Sequence, residues 1–466
     1  MRLTFKRTCW FQLEKQVCYV VHHAYKGEIS VMKIGSRSTT GWKATISVAM
    51  ANYIEAGSII AAASSLTLWQ AYLHLHSVAI GLLSALSANA FGAAVGALLG
   101  GYLCDKYGRK FIYTYDLLLY MLGVLLIAFS FSLPMLLVGT IITGIAVGAG
   151  VPASWTYIAE EAPHEKRAAH VGMAQLAWST GPALTFLLAV VLAPLGLLGS
   201  RIIFIHLLII AFITWYIRQG LSESKLWKEE QEKTENNKGE STASQRSFKE
   251  LFSLKVNRQA LVLLLGIYLF WNLTSGASGY FMPYIYQHVG GLSNVQANLL
   301  QVFLWGLTVA TTFFVFMKFA DKYSRRFLFG LGAVLGIVAW LVLTFAATNW
   351  FTLFAFVILW GGAAGFGAQA FYGLWASELF PTKYRARAQG FMYFVVRTGI
   401  AIWSFLLPTI MNTLGFKVAG IVMSIFLIIH FIIGVILAPD TRGKTLRDIE
   451  RERLEGDISD LSKKQA

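Results

Sequence analysis

Charge is scarce in this sequence. Only 14% of the 466 residues are Asp, Glu, Lys or Arg, whereas 56% are hydrophobic and the mean hydropathy is +0.58. A water-soluble protein carries roughly 25% charged residues, so much of the surface of this protein must face lipid. The composition excludes an ordinary soluble protein and predicts an integral membrane protein, and the location that we expect for it is the cell membrane, with multiple passes.

Cysteine is scarce too, and acidic residues are outnumbered by basic ones. Cys9, Cys18 and Cys104 form no even set and have no metal-ligand spacing, so neither a disulfide framework nor a zinc site is predicted. The net charge of +15 is explained by cytoplasmic loops rich in Lys and Arg, and nucleic-acid binding is not expected. Because the sequence has no recognisable nucleophile constellation or phosphate-binding loop, we predict that the protein is not an enzyme and binds no cofactor and no metal.

Long apolar runs dominate the sequence instead. A helix needs about 20 apolar residues to cross a bilayer. About twelve such runs lie near 44–68, 78–103, 111–131, 134–157, 168–193, 201–218, 259–286, 294–318, 327–346, 349–374, 388–412 and 416–438. Residues 219–258 have high charge and almost no apolar periodicity, which predicts a polar linker. The linker separates an N-terminal bundle, 44–218, from a C-terminal bundle, 259–438.

Basic residues alternate between the two sides of the predicted spans. The tails, the linker and every second loop hold 36 of the 39 Lys and Arg residues, whereas the opposite loops hold only Arg201 and Lys417. Since basic loops stay in the cytoplasm, the tails 1–43 and 439–466 and the linker are predicted to be cytoplasmic. Residues 1–31 have no signal-peptide core, and we interpret them either as an over-extended start or as a disordered tail.

Two motifs occur once in each half. AEEAPHEKR (159–167) and SELFPTKYR (377–385) share the pattern E-x-x-P-x-x-x-R and lie 218 positions apart. DKYGRK (105–110) and DKYSRR (321–326) lie 216 positions apart. Internal duplication is typical of secondary transporters, in which two halves rock about a substrate held between them.

These motifs resemble those of the major facilitator superfamily. GGYLCDKYGRKF (100–111) is similar to its G-x-L-a-D-r-x-G-r-k loop, and the E-x-x-P-x-x-x-R loops and PDTRGKTL (439–446) resemble motifs of the sugar porter family. The resemblance covers nearly all of residues 44–450. It implies an all-α membrane protein of twelve transmembrane helices in two six-helix bundles, with alternating access.

The resemblance also implies a set of gating residues, because the charged residues of these loops form networks between helix ends in that family. The residues are Asp105, Arg109, Lys110, Glu160, Arg167, Asp321, Arg325, Glu378 and Arg385. The alternative is that these residues only form tight turns or a solvated surface.

The predicted substrate site departs from the sugar porter pattern. FWNLTSGASGY (270–280) stands where that family has span-seven amides, and Val309 replaces a span-eight asparagine, so a hexose is not implied. Gln175 does match a span-five glutamine, although Pro182 replaces the second glutamine of that pair. Candidate substrate contacts are Gln175, Trp271, Asn272, Tyr280, Trp375 and Arg397. Helix packing, or an interhelical hydrogen bond for the glutamine, is the alternative role.

Three charged residues stand out inside predicted spans: Glu55, Asp116 and Arg397. A charge at the centre of a membrane helix costs about 2.5–3.5 kcal/mol on insertion scales. Glu55 aligns with the acidic residue of proton-coupled sugar porters, and burial favours the neutral form of a carboxyl group, which carries a proton. Thr140 replaces the arginine that pairs with this acid in the family. Glu55 therefore either titrates beside polar neighbours or pairs with Arg397, and Asp116 is expected to pair with the basic turn at 109–110.

A guanidinium in a carrier cavity also suits a carboxylate substrate, so two substrate classes stay open. We predict a monomeric transporter of a small polar metabolite, with a sugar or polyol favoured and with proton symport through Glu55. The alternatives are an organic-acid:proton symporter and a non-transporting sensor on the same fold. The expected partners are the substrate, protons and the lipid bilayer.

Overall fold

The described part of the chain is built of α-helices joined by short turns. A computed structural model describes residues 41–75, 90–236, 248–288, 290–382 and 384–453, together with Ala79, Leu83 and Leu86. These residues belong to one compact unit, 39–466. The predictions for residues 1–31 and for the beginning of the second span lie outside the described residues.

The helices of the N-terminal half follow the predicted apolar runs. They are α1 Trp42–Leu73, α2 Phe91–Tyr107, α3 Arg109–Ala128, α4 Leu133–Glu161, α5 Arg167–Leu192 and α6 Leu197–Arg218. Gly108 alone separates α2 from α3, with φ at 97°. Glycine adopts this left-handed conformation without steric cost, so the chain reverses within one residue and the two helix ends stay adjacent.

The linker and the C-terminal half provide the remaining helices. They are α7 Lys225–Asn236, α8 Phe248–Ser253, α9 Lys255–His288, α10 Asn294–Thr311, α11 Arg325–Phe345, α12 Trp350–Phe366, α13 Ala368–Glu378, α14 Arg385–Leu414 and α15 Phe416–Leu437. A π-helical turn, Thr312–Phe316, and a short helix, Met317–Phe319, extend α10. Capping boxes with Ser293 and Asn349 start α10 and α12, where they satisfy backbone N–H groups that lack a helical partner.

Eleven stretches of the described residues are long and apolar enough to cross a membrane. They coincide with the predicted runs except the second, of which α2 is the described part, and α12 and α13 together form one of them. Large apolar side chains cover their outer surfaces, as with Phe351 and Phe405, which are 81% and 82% exposed. This outward apolar surface is the one expected of helices that face lipid.

The main contacts between the two halves repeat one another. Helix α2 packs against α14, and α5 packs against α10. The internal repeat relates α2 to α10 and α5 to α14, so the two contacts are copies of one arrangement. At the first contact the backbones approach closely, because a Cβ on Gly390 would lie only 2.2 Å from the carbonyl oxygen of Ala97. Small residues permit such approaches between membrane helices.

The linker is more structured than its composition predicts. Helix α7 lies within it, and the half-buried Trp227 donates its indole N–H to the carbonyl oxygen of Asp105 at 3.1 Å. A single anchored side chain produces no apolar periodicity, which explains why the sequence pattern misses this contact.

Candidate functional site: an interhalf charge network and a central cavity

The repeated motifs meet at one end of the helices, where several of their charged side chains are buried. Glu160, at the end of α4, accepts hydrogen bonds from Arg109 of its own half and from Arg385 of the other half, both at 2.8 Å. The three side chains are at most 1% exposed. One carboxylate thus ties the start of α3 to the start of α14 through charge-assisted hydrogen bonds.

The second copy of the motif makes the same arrangement with the halves exchanged. Glu378, at the end of α13, pairs with Arg325 of its own half at 2.7 Å and with Arg167 of the other half at 3.0 Å. Thr441, which follows α15, donates to Glu378 at 2.5 Å and accepts from Arg325 at 2.6 Å.

Two aspartates hold the helix starts that carry these arginines. Asp105 accepts from the backbone N–H groups of Ala386 and Arg387 at 3.3 and 2.7 Å, and its repeat counterpart Asp321 accepts from those of residues 168 and 169, both at 3.1 Å. A carboxylate is favoured at a helix N-terminus by the helix dipole. Burial is the largest influence on Asp321 and raises the pKa of its carboxyl group, although the two N–H donors and Arg325 oppose the shift.

We call these eight side chains the charge network: Asp105, Arg109, Glu160, Arg167, Asp321, Arg325, Glu378 and Arg385. The ninth predicted gating residue, Lys110, has an exposed side chain and contributes its backbone N–H, which donates to Glu223 at 2.9 Å. Glu223 also accepts from the N–H of Arg109 at 2.9 Å. The sequence SESKLW contains Glu223, yet only the structure shows that it clamps this turn.

A cavity lies between the halves, farther along the helices than the charge network. It has two adjoining chambers with about 510 and 440 Å³ of unfilled space. Residues of both halves line it, among them Ile59, Ile60, Gln175, Trp178, Trp271, Asn272, Ser275, Gln301, Trp305, Gln369 and Arg397. Indoles with a few amides and hydroxyls form a wall suited to a small polar ligand with apolar faces.

Glu55 lies beside this cavity, in contact with its lining residues Trp178 and Arg397. It is 1% exposed, and one of its oxygens, Oε1, accepts from the Arg397 guanidinium and the Tyr393 hydroxyl of α14. Its other oxygen, Oε2, accepts from the indole N–H of Trp178 of α5 at 3.1 Å. Of the two readings left open by the sequence, the structure therefore shows the pair with Arg397, and this pair joins the two halves. We call Glu55, Trp178, Tyr393 and Arg397 the cavity floor.

Four of the six predicted substrate contacts line the cavity: Gln175, Trp271, Asn272 and Arg397. The Gln175 amide donates to Ser179 at 3.3 Å, and its buried oxygen has no hydrogen-bond partner among the described residues. The Asn272 amide donates to the carbonyl oxygen of Tyr268 at 2.9 Å.

The structure does not bring Trp375 to the cavity lining. This side chain is fully buried and packs against Phe329 and Phe371, at ring-centroid distances of 5.6 and 5.2 Å. The backbone of Tyr280 belongs to α9, whereas its side chain lies outside the described part of the structure.

The prediction that Asp116 pairs with the basic turn at 109–110 is wrong. Asp116 pairs with Arg218 of α6 at 3.5 Å, and the basic turn is not its partner. The reason is that Glu160 and Asp105 engage the Arg109 side chain. Arg218 also donates to the carbonyl oxygen of Val48 at 2.8 Å, so this pair fastens α3, α6 and α1 together.

Sequence reasoning missed Trp178, Trp305 and Gln301, which line the cavity, and Tyr393, which donates to Glu55. Helical spacing is a signal that points to two of them, because Tyr393 lies four residues before Arg397 and Trp178 lies three after Gln175. Residues at these spacings share one helix face. Trp305 and Gln301 lie on α10. None of the predicted substrate contacts lies on this helix, so helical spacing gives no signal for these two residues.

Two repeated halves around a central cavity define the architecture of a secondary membrane transporter. Residues 52–452 match the sugar (and other) transporter family. The chain belongs to this family, which confirms the resemblance drawn from the motifs.

The relatives of this chain are transporters as well. It is 46% identical over 416 residues to the minor myo-inositol transporter IolF of Bacillus subtilis, covering 88% of this chain and 93% of that protein. It is 27% identical to the cis,cis-muconate transport protein of Acinetobacter baylyi, covering 87% and 95% of the two chains.

A solved structure of the proton:xylose symporter XylE, bound to 6-bromo-6-deoxy-D-glucose, is similar with a TM-score of 0.74 and 18% identity. The match covers 87% of this chain and 98% of the other. At this identity the match shows the fold alone, which is that of the major facilitator superfamily. The prediction of an all-helical, multi-pass membrane transporter is confirmed.

Proposed function

We propose that this protein is a proton symporter for a sugar or polyol, with a cyclic polyol as the first candidate. Glu55 carries the proposal, because it is a buried carboxylate at the floor of the cavity that accepts hydrogen bonds from both halves. The similarity to a transporter of myo-inositol and the fold shared with a proton:xylose symporter support the substrate class and the coupling ion.

The proposed architecture completes the described helices. Twelve membrane-spanning helices form two bundles, 44–218 and 259–438, and both tails and the linker are cytoplasmic, so the charge network is the cytoplasmic gate. The protein functions as a monomer in the bilayer. In the structure the charge network joins the halves, so the state is one in which the cytoplasmic gate is closed.

In the proposed cycle, ionised Glu55 holds Arg397 and Tyr393 of the opposite half. A proton from the outer side neutralises the carboxylate and removes its Coulomb attraction to the guanidinium. With substrate in the cavity, the halves then separate at the floor and at the charge network. The cytoplasmic side opens, substrate and proton leave, and the restored Glu55–Arg397 pair draws the floor together again.

The charge balance of the cavity favours a neutral substrate. Glu55 compensates Arg397, and the remaining polar groups of the wall that we have named are amides, hydroxyls and indole N–H groups. Such groups bind hydroxyls by hydrogen bonds without requiring a charge on the ligand.

A carboxylate is the second candidate substrate, since Arg397 lines the larger chamber. Once Glu55 is protonated, the guanidinium can pair with an anionic ligand. The similarity to a cis,cis-muconate transport protein supports this alternative.

Uptake into proteoliposomes tests both candidates. We expect myo-inositol or a sugar to accumulate above equilibrium when the outside is acidic, and cis,cis-muconate neither to accumulate nor to compete. The reverse preference would replace the polyol by the organic acid.

Replacement of Glu55 tests the coupling. Glu55→Gln should abolish accumulation against a gradient while sparing counterflow exchange, because the amide binds no proton but keeps the cavity. Asp116→Asn is the matched control, since Asp116 is likewise a buried carboxylate but has its partner in its own half. A Glu55→Gln protein that still concentrates substrate would refute the proposed proton site.

A further inference from the structure

Trp178 connects the proposed proton site to the substrate cavity. Its indole N–H donates to Oε2 of Glu55 at 3.1 Å. The ring is half-buried and lines both chambers of the cavity. A single side chain therefore touches the carboxylate on one side and the space for the substrate on the other.

The same indole also reaches the opposite half of the protein. Its ring centroid lies 5.3 Å from that of Trp305 on α10, with an interplanar angle of 59°. Trp305 lines both chambers as well, so the two rings stand where the chambers adjoin. Tilted aromatic pairs of this kind are attractive, and this pair holds Trp178 in one orientation across the interface.

The donors around Glu55 are divided unequally between its two oxygens. Among the described residues, Oε1 accepts from Arg397 and Tyr393, whereas Oε2 accepts from Trp178. An incoming proton therefore adds most readily at Oε2. The indole N–H can only donate a hydrogen bond. A proton bound to Oε2 therefore occupies the side of that oxygen from which the N–H donates.

The other groups around Glu55 do not replace this contact. Arg397 and Tyr393 face it from α14, and Tyr268 of α9 interacts with it electrostatically. On its own helix, Tyr53 pairs with His206 of α6 at 3.0 Å and Asn52 donates to Ser154 of α4 at 2.9 Å.

We propose that Trp178 is a substrate-binding residue that transmits the protonation of Glu55 to the substrate. This inference rests on the proposed proton symport. While Glu55 is ionised, it holds the indole N–H away from the cavity. When a proton occupies Oε2, the N–H is released and donates to a substrate hydroxyl, so that substrate binds more tightly to the protonated carrier.

Trp178→Phe tests this role, because phenylalanine keeps an aromatic ring beside Trp305 and removes the N–H donor together with one ring of the indole. In the wild type, KM for myo-inositol should fall as the outer pH is lowered. In the variant, KM at acidic pH should rise roughly tenfold, which corresponds to the loss of one hydrogen bond, and its dependence on pH should disappear. Accumulation against a gradient should persist, since Glu55 is intact.

Trp305→Phe is the matched control, because it alters the partner ring without touching Glu55. Trp305→Phe should change KM by the same factor at every pH, so that the pH dependence of KM is kept. Unchanged pH dependence in Trp178→Phe, or its loss in both variants, would overturn the inference.

Glu55→Gln separates this inference from the proposed function. If Glu55→Gln still accumulates substrate, the proton site itself is wrong. If Glu55→Gln loses accumulation while Trp178→Phe keeps the wild-type pH dependence, only the role of Trp178 is wrong. In the Glu55→Gln background, Trp178→Phe should have no further effect on the pH dependence.

Discussion

The charge network and the cavity floor both join the two halves, but only the network follows the internal repeat. The Arg385–Glu160 pair, at 2.8 Å, recurs as Arg167–Glu378, at 3.0 Å. The floor has no second copy, since Leu273 stands 218 positions after Glu55 and Ser179 stands 218 positions before Arg397. Duplication accounts for the symmetric network, whereas the floor depends on substitutions that the two halves do not share.

The largest expected effect comes from breaking the floor. Arg397→Gln leaves the Glu55 carboxylate buried without its counter-charge, which costs about 3–5 kcal/mol. We expect a lower thermal unfolding temperature in detergent and loss of accumulation in proteoliposomes. The double variant Glu55→Gln/Arg397→Gln should recover most of the unfolding temperature but not the accumulation. Equal unfolding temperatures for the wild type and the single variant would show that the pair does not stabilise this state.

Breaking the network should have nearly the same effect in either copy. Glu160→Gln and Glu378→Gln each weaken two arginine pairs, and hydrogen bonds to charged groups contribute about 1.5–3 kcal/mol each. Both variants should therefore favour separation of the halves at the network. The buried Cys104 reports this opening, so its maleimide labelling should rise roughly tenfold or more in both variants when Cys9 and Cys18 are replaced by serine.

The labelling experiment has a built-in comparison. Arg397→Gln, which leaves the network intact, should change Cys104 labelling less than either network variant. Increased labelling in Glu160→Gln alone would show that the two copies of the network are not equivalent.

The two interhalf helix contacts should differ in their tolerance of a methyl group. A Cβ on Gly390 would meet the backbone oxygen of Ala97 at 2.2 Å, whereas one on Gly172, 218 positions earlier, would meet the Met317 side chain at 2.7 Å. Because a side chain can move and a backbone carbonyl cannot, Gly390→Ala should cost about 1–3 kcal/mol and Gly172→Ala less. Unfolding temperatures and transport rates of both variants would measure this, and a more severe Gly172→Ala would contradict it.

The smallest expected effect concerns the segments that follow each half. Glu223 and Thr441, again 218 positions apart, contact the network of their own half. Thr441→Val keeps the shape of the side chain and removes its bonds to Arg325 and Glu378, which should cost about 1 kcal/mol. The unfolding temperature should fall slightly with transport retained, and a complete loss of transport would indicate a role beyond support of the network.

Much of the fold follows from local properties of the sequence. The apolar runs coincide with the helices of the described residues because span length is fixed by bilayer thickness. The repeated motifs likewise indicate which helix ends carry charge. The linker helix α7 is different, because its contact depends on one indole, Trp227, that meets a distant carbonyl group.

The site is less predictable because it combines helices that are far apart in the chain. Resemblance to the family and the cost of a charge in a membrane identify four of the cavity residues: Gln175, Trp271, Asn272 and Arg397. The partner of Asp116 is not identified in this way, since Arg109 is the nearest arginine in the sequence and only the packing of α6 against α3 selects Arg218. Trp178 and Trp305 meet across the interface between the halves, and no sequence period encodes that meeting.

By itself, the sequence determined that the chain crosses the membrane many times, that it is internally duplicated, and that Glu55, Asp116 and Arg397 are unusual charges within its spans. These properties depend on composition, length and repetition, which are local or additive. Only the tertiary structure decided that Glu55 and Arg397 meet, that they do so from opposite halves, and that Trp178 joins Glu55 to the cavity. The reason is geometric: residues 342 positions apart become neighbours only through the way in which the helices of the two halves pack.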